Sequence, residues 1–182
     1  EKITALIYDN GKDYNLIDNN GRVVKYLTSV GGDEFILETI TKVANTSTPK
    51  TKKENSTTTA KISLKRHVPN YNKIHLNYGS FPIVYDLRNK NIKNEVALKP
   101  DYIDAVIKLN DLVIEQGIAS PKYYVLENLN SGLEMISGKP WKALLNPNND
   151  LQIQLNNIKN VLKENTPLEY IDVRFGSRVY WK

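Results

Sequence analysis

The chain has 182 residues, 40% of them apolar, no cysteine and a formal net charge of +5. That size and apolar fraction suit one well-buried core rather than two, and the absence of cysteine excludes disulfides, thiolate metal sites and thiol nucleophiles together. No apolar run reaches the roughly 18 residues a membrane helix needs and no secretory leader opens the chain, so it reads as a soluble piece of a longer protein.

The charge comes from 25 basic against 20 acidic residues, an excess that favours anionic surfaces or acidic partners. The basic residues cluster only at Lys50, Lys52 and Lys53 and at Lys61, Lys65 and Arg66. Scattered charge of this kind is mostly solvated surface.

From the start, ITALIY (3–8), YNLID (14–18) and RVVKYL (22–27) read as three short strands in a meander. DNGK and NNG are the turns between them, with Gly11 free to take positive φ. DEFILETITKV (33–43) carries both periods: Phe35, Leu37 and Thr39 suit a strand, while Phe35 or Ile36 with Ile40 and Val43 suit a helix. Residues 45–60 contain no large apolar side chain and cannot offset ordering entropy by burial, so a mobile insertion is expected over 44–60. Its two glycosylation-like triplets, at Asn45 and Asn55, are what so Asn- and Thr-rich a stretch yields by chance. KISLKRHV (61–68) and FPIVYDL (81–87) are strands around a Tyr/Asn-rich connection.

Pro100 suits a first helical position, Asp101 the positive end of the macrodipole, and Ile103, Val106, Ile107, Asn110, Val113 and Ile114 trace one face. A helix over 100–116 follows, closed by Gly117 in a left-handed cap. Strands are expected at 122–129, 133–137 and 141–145, with Tyr123 and Tyr124 on opposite faces. Asn146-Pro147 then opens a second helix over about 147–164, with Asn146 as its N-cap and Asp150 in its first turn. Leu151, Leu155, Ile158 and Leu162 form a stripe that belongs against a sheet.

LEYIDVRFGSRVYWK (168–182) ends the chain. Alternation puts Ile171, Val173 and Phe175 on one face, for the core, and Tyr170, Asp172 and Arg174 on the other. Gly176-Ser177 suits a two-residue hairpin loop, and Arg178 to Lys182 returns as a short strand. That strand is either an open edge able to accept another chain, or a core-finishing one through Val179 and Trp181. The pattern allows both.

The order of these pieces resembles the FtsQ/DivIB bacterial cell-division proteins. The striped helix, LEYIDVRF, a short turn and RVYWK resemble the C-terminal end of that family's extracytoplasmic region. ALIYDNGKDYNLIDNNGRVV resembles its passage from POTRA domain to β domain, and FPIVYDL with a helix beyond it resembles its central segment. The likeness covers about 1–27 and 81–182. The segment 28–80 is expanded, Asn15 interrupts the usual aromatic pair, and the family's transmembrane helix and full POTRA domain lie outside the sequence.

What the resemblance implies is a non-enzymatic divisome scaffold, without cofactor, on the extracytoplasmic face of the cytoplasmic membrane at the septum. Its full-length form would be membrane-anchored by a segment not in this sequence, and it would bind protein rather than nucleic acid. Its partners would be small single-span proteins of the FtsB and FtsL type, docked by strand addition at the C-terminal edge. Arg174 and Phe175 match the basic-aromatic pair closing the Tyr-Ile-Asp-Val motif, Ser177 a small polar turn residue and Trp181 a terminal aromatic. Arg178, Val179 and Tyr180 complete the partner-binding set. Arg174 would hold a partner carboxylate or, as arginines in strands commonly do, form a cross-strand ion pair with neighbours on the Asp172 side.

Two further classes remain open on sequence: a Tyr-rich single-stranded nucleic-acid binder, and a secreted carbohydrate-binding or enzyme domain using Trp141 as a platform. Recognisable catalytic or metal motifs are missing. His67 and His75 lack ligand spacing and read as exposed or core residues, Asp101 and Asp104 serve a helix dipole, and Gly31-Gly32 reads as a turn. The expected architecture is one α+β domain over 1–182: a long, curved, largely antiparallel sheet, two packed helices and a C-terminal β-hairpin.

Overall fold

The computed structural model describes residues 4–43, 59–88, 96–127, 129 and 132–182, with the side chains of 38–43 and 59–65 left undescribed. Its fold class is α+β, as expected. Nine strands form one sheet: β1 (Thr4–Asp9), β2 (Asp13–Asp18), β3 (Val23–Ser29), β6 (Ile83–Asp86), β7 (Pro121–Leu126), β8 (Leu133–Ser137), β9 (Lys142–Leu145), β10 (Tyr170–Phe175) and β11 (Arg178–Trp181). Their spatial order is β11-β10-β9-β8-β7-β6-β1-β2-β3, and β4 (Glu34–Val43) with β5 (Thr59–Val68) makes a separate two-stranded ribbon. Five pairings in the large sheet are antiparallel and three, β1–β6, β6–β7 and β9–β10, are parallel, so the sheet is mixed with an antiparallel majority. The β6–β7 and β9–β10 pairs are joined by helical crossovers, as parallel neighbours require.

Helix α2 (Pro100–Glu115) starts on its sequence signals, with Pro100 leading and Asp101 in the first turn, but its buried face is Tyr102, Ile103, Val106, Leu109 and Val113, and Ile114 of the expected face is exposed. Gly117, at φ 64°, ends it. The Gly117 N–H donates to Ile114 O and the Ile118 N–H to Val113 O, the two bonds of a Schellman motif, with Ile118 buried in the same cluster as Val113. Helix α3 (Leu151–Glu164) starts later than expected. Asp150, not Asn146, is the N-cap, accepting from the Ile153 N–H at 3.0 Å. Asn146 instead closes a turn, its side-chain oxygen accepting from the Asn148 N–H and its carbonyl from the Asn149 N–H. An Asx turn competes with a helix for the same backbone donors, and here it wins.

Both long helices cover one sheet face. Leu6, Tyr8, Val84, Tyr124, Leu126, Met135, Ala143, Leu145, Ile171 and Val173 meet α2 and α3 in the main core, which also encloses Trp141. Each fully buried aliphatic side chain there contributes about 1.5–3 kcal/mol. A smaller cluster on the other face joins Ile7, Tyr14, Val30, Ile74 and Ile83, with Tyr123 against it. Tyr123 and Tyr124 thus do point oppositely.

The connection expected after residue 68 holds a helix, α1 (Tyr71–Tyr78), capped by Asn70, whose side chain accepts from the Lys73 N–H. Its only buried residue is Ile74, too little for an apolar period to show. Residues 33–43 resolve their ambiguity as strand β4. Of the insertion expected over 44–60, residues 44–58 lie outside the described residues and 59–60 open β5.

Candidate partner-docking edge

Strand β11 is the last strand of the sheet and pairs only with β10 among the described residues. Lys182 and Tyr170 exchange both backbone bonds, at 3.1 and 3.3 Å, which makes them a hydrogen-bonded antiparallel pair. The pair Asp172–Tyr180 lies one repeat further along and Ile171–Trp181 between them. Alternation then turns the N–H and C=O groups of Trp181 and Val179 away from β10, off the free side of the sheet.

The hairpin holds its shape through local contacts. Gly176 sits at φ 67° in the turn with Ser177, and Phe175 faces Arg178 across it. From α3 the Asn157 amide donates to Gly176 O at 2.8 Å, and from the preceding turn the Asn149 amide donates to Arg174 O at 3.0 Å. Glu169 and Lys182 form an exposed ion pair at 2.8 Å.

The expected site residues divide. Val179 is half-buried and packs against the main core, whereas Tyr180 and Trp181 are 49% and 47% exposed; Trp181 therefore does not finish the core. Phe175 is 57% exposed, contrary to its expected place beside Ile171 and Val173. The cause is a register irregularity between Asp172 and Phe175, which breaks the alternation and brings the Phe175 ring edge-on to Tyr180 at 6.2 Å. Arg178 is exposed, and Ser177 lies in the exposed turn.

Arg174 chelates the buried Asp172 of its own strand through Nε (2.9 Å) and Nη2 (2.6 Å) and stands 5.4 Å from the Phe175 ring. This ion pair lies within β10, not across strands as expected. The hydrogen bonds to Asp172 raise the guanidinium above its ordinary value and hold it charged.

The other edge of the sheet is built differently. Strand β3 is irregular against β2 at Tyr14/Asn15 and at Leu16/Ile17, and the carbonyl of the bulged Leu27 accepts from the Tyr78 hydroxyl at 3.2 Å. Bulges and a capping side chain are the usual ways of closing an edge. Strand β11 carries one register irregularity against β10, between Asp172 and Phe175, and no side chain caps its backbone among the described residues.

A repeated unit also points to β11. Helix α2 runs into β7 and the antiparallel β8, and helix α3 runs into β10 and the antiparallel β11. The spacing from Glu115 to Pro121 equals that from Glu164 to Tyr170. Strand β9 lies antiparallel against the outer side of β8, and no described strand takes that place beside β11. Sequence reading missed this repeat because the two units share element order and spacing but neither burial pattern nor much identity.

Two polar clusters inside the fold were also missed. Tyr8, Asp86 and Arg88 interlock at the end of β6, with Asp86 fully buried. Asp9, Asp33 and His67 converge where the ribbon meets the sheet. His67 is thus a core histidine, and His75 bonds through Nε2 to the Phe81 carbonyl at 3.0 Å. Among the described residues, no group of three or more His, Asp or Glu is arranged to hold a metal, and no helix is long and apolar enough to cross a membrane. Comparison with known proteins returns no matching family model, no matching curated protein and no matching solved structure.

Proposed function

We propose that the chain is a non-enzymatic scaffold of the FtsQ/DivIB type, which docks FtsB- or FtsL-like single-span proteins at the division septum by strand addition to β11. The observation that carries this reading is the open edge itself: outward backbone groups at Val179 and Trp181, flanked by exposed aromatics and Arg178. Backbone pairing supplies affinity and the aromatic side chains supply anchors. The incoming strand runs antiparallel to β11, as β9 does to β8. In this reading the full-length protein sits on the extracytoplasmic face of the cytoplasmic membrane, held there by a segment outside this sequence.

Proline scanning separates docking from folding. Val179→Pro deletes an outward N–H and leaves the inward ladder intact, which an edge strand tolerates. Its expected result is at least tenfold weaker binding to the extracytoplasmic part of an FtsB/FtsL-type partner by calorimetry, with an unchanged far-ultraviolet circular dichroism spectrum. Tyr180→Pro, which removes an inward bond, loosens the hairpin itself. Unaltered affinity in a folded Val179→Pro protein sinks the proposal.

A further inference from the structure

The ribbon β4–β5 forms its own two-stranded sheet, and such a ribbon is marginal without an anchor. Its described anchor is at the base, where Phe35 pairs with His67. There the His67 Nε2 lies 2.6 Å from Asp9 Oδ2, on β1, and 3.9 Å from Asp33 Oδ2, just before β4. Tyr14 of β2 donates its hydroxyl to Asp33, and the Gly11 N–H donates to Asp9 Oδ1 at 2.8 Å. Asp9 and His67 are buried. One imidazole thus stands between two carboxylates, in a site closed to water.

We propose that Asp9, His67 and Asp33 form a proton-dependent latch, closed while the cluster holds a shared proton and loosened when that proton leaves. With both carboxylates ionised and the imidazole neutral, two negative charges face each other in a poorly screened site. One proton shared across the 2.6 Å Asp9–His67 contact halves the net charge. The flanking rings do not change with pH in the same range: Tyr85 of β6 lies 4.3 Å from the imidazole, centre to centre, and its hydroxyl is pushed up to about 12 by burial. Tyr14 is raised further still, again mainly by burial. Around Tyr85 stand Tyr123 of β7, itself raised by burial, and Arg66 of β5, 3.8 Å from Glu127.

Direction follows from linkage. Burial raises Asp9 above the ordinary carboxylate value, Asp33 adds to the rise, and the His67 and Gly11 contacts oppose it. A group that holds its proton more tightly in the folded state stabilises fully at low pH and ceases to do so as pH rises through the raised value. The latch therefore closes toward acid and loosens toward alkali, beginning above the ordinary aspartate value of about 3.9.

Amide hydrogen exchange on the whole chain, from pH 5 to 9 with rates corrected for base catalysis, reads this directly. Protection at 34–37 and 66–68 is expected to fall with a limiting slope of about tenfold per pH unit, that of one linked proton, while β6 and β7 amides stay constant. Asp9→Asn, which has no proton to release at that position, is expected to remove the slope. Asp33→Asn, at a less buried position, is expected to shrink it at least threefold and serves if the position-9 variant fails to fold. The proposal is overturned if the wild-type base is flat across this range, if it loosens in step with β6 and β7, or if the folded variants keep the wild-type slope.

Discussion

Asp86→Ala is expected to cost about 3–5 kcal/mol of folding stability, the range for stranding one half of a buried ion pair, in urea unfolding followed by circular dichroism. Asp86 is fully buried and accepts from four donor groups at once. It accepts from the Tyr8 hydroxyl at 2.6 Å, from Arg88 Nη2 at 2.5 Å and Nε at 2.8 Å, and from the Arg88 backbone N–H at 2.9 Å. Truncation leaves a guanidinium only 19% exposed and a buried hydroxyl with no acceptor. That hydroxyl is held neutral, because burial first and Asp86 second raise Tyr8 far above the ordinary tyrosine range.

Asp172→Ala removes the same chelate from Arg174, yet its expected cost is smaller, about 1–2 kcal/mol. Arg174 is 26% exposed and lies near the end of the sheet, so its charge can turn toward water. An equal loss in the two variants would contradict the role given to burial here.

Gly21→Ala has the next largest expected effect, a loss of about 3 kcal/mol or more from the combined costs of left-handed strain and overpacking, read from the same unfolding curves. Gly21 closes the turn between β2 and β3 at φ 74°, and a Cβ built there would stand 1.9 Å from the Leu98 carbonyl oxygen and 2.9 Å from Val96 Cγ1. The obstacle is mainly backbone, which cannot swing aside. The Gly21 carbonyl also accepts from the Ala97 N–H at 2.8 Å, tying this turn to the approach to α2. Gly176→Ala is the control: φ is 67° but nothing lies within 4 Å, so only strain, about 1–2 kcal/mol, remains.

These two sites show what local pattern conveys. NNG as a turn, Pro100-Asp101 as a helix start and Gly117 as its stop were legible because each depends on a few adjacent residues. Strands with two-residue periods were legible for the same reason. Helix α1 was hidden because it buries one apolar side chain and is written in Tyr and Asn. Phe175 broke its alternation through an irregularity in the β10–β11 register, which no single strand encodes. Asn146 illustrates competition: its side chain served a turn, and Asp150 four positions later became the cap. The Asp9–His67 contact joins residues 58 positions apart, and only the assembled topology brings them together. The terminal hairpin lay between these cases. Its turn and strands were visible in sequence, but whether β11 was an edge depended on the order of all nine strands.

The docking claim rests on two amides, and they provide its most direct test. In a 15N-labelled chain, amide exchange at Val179 and Trp181 should slow at least tenfold when an FtsB/FtsL-type extracytoplasmic segment saturates the protein, since both groups then enter a new ladder. Tyr180, already bonded toward β10, should change little. Binding of that segment with Val179 and Trp181 exchanging as in the free chain would contradict strand addition at β11.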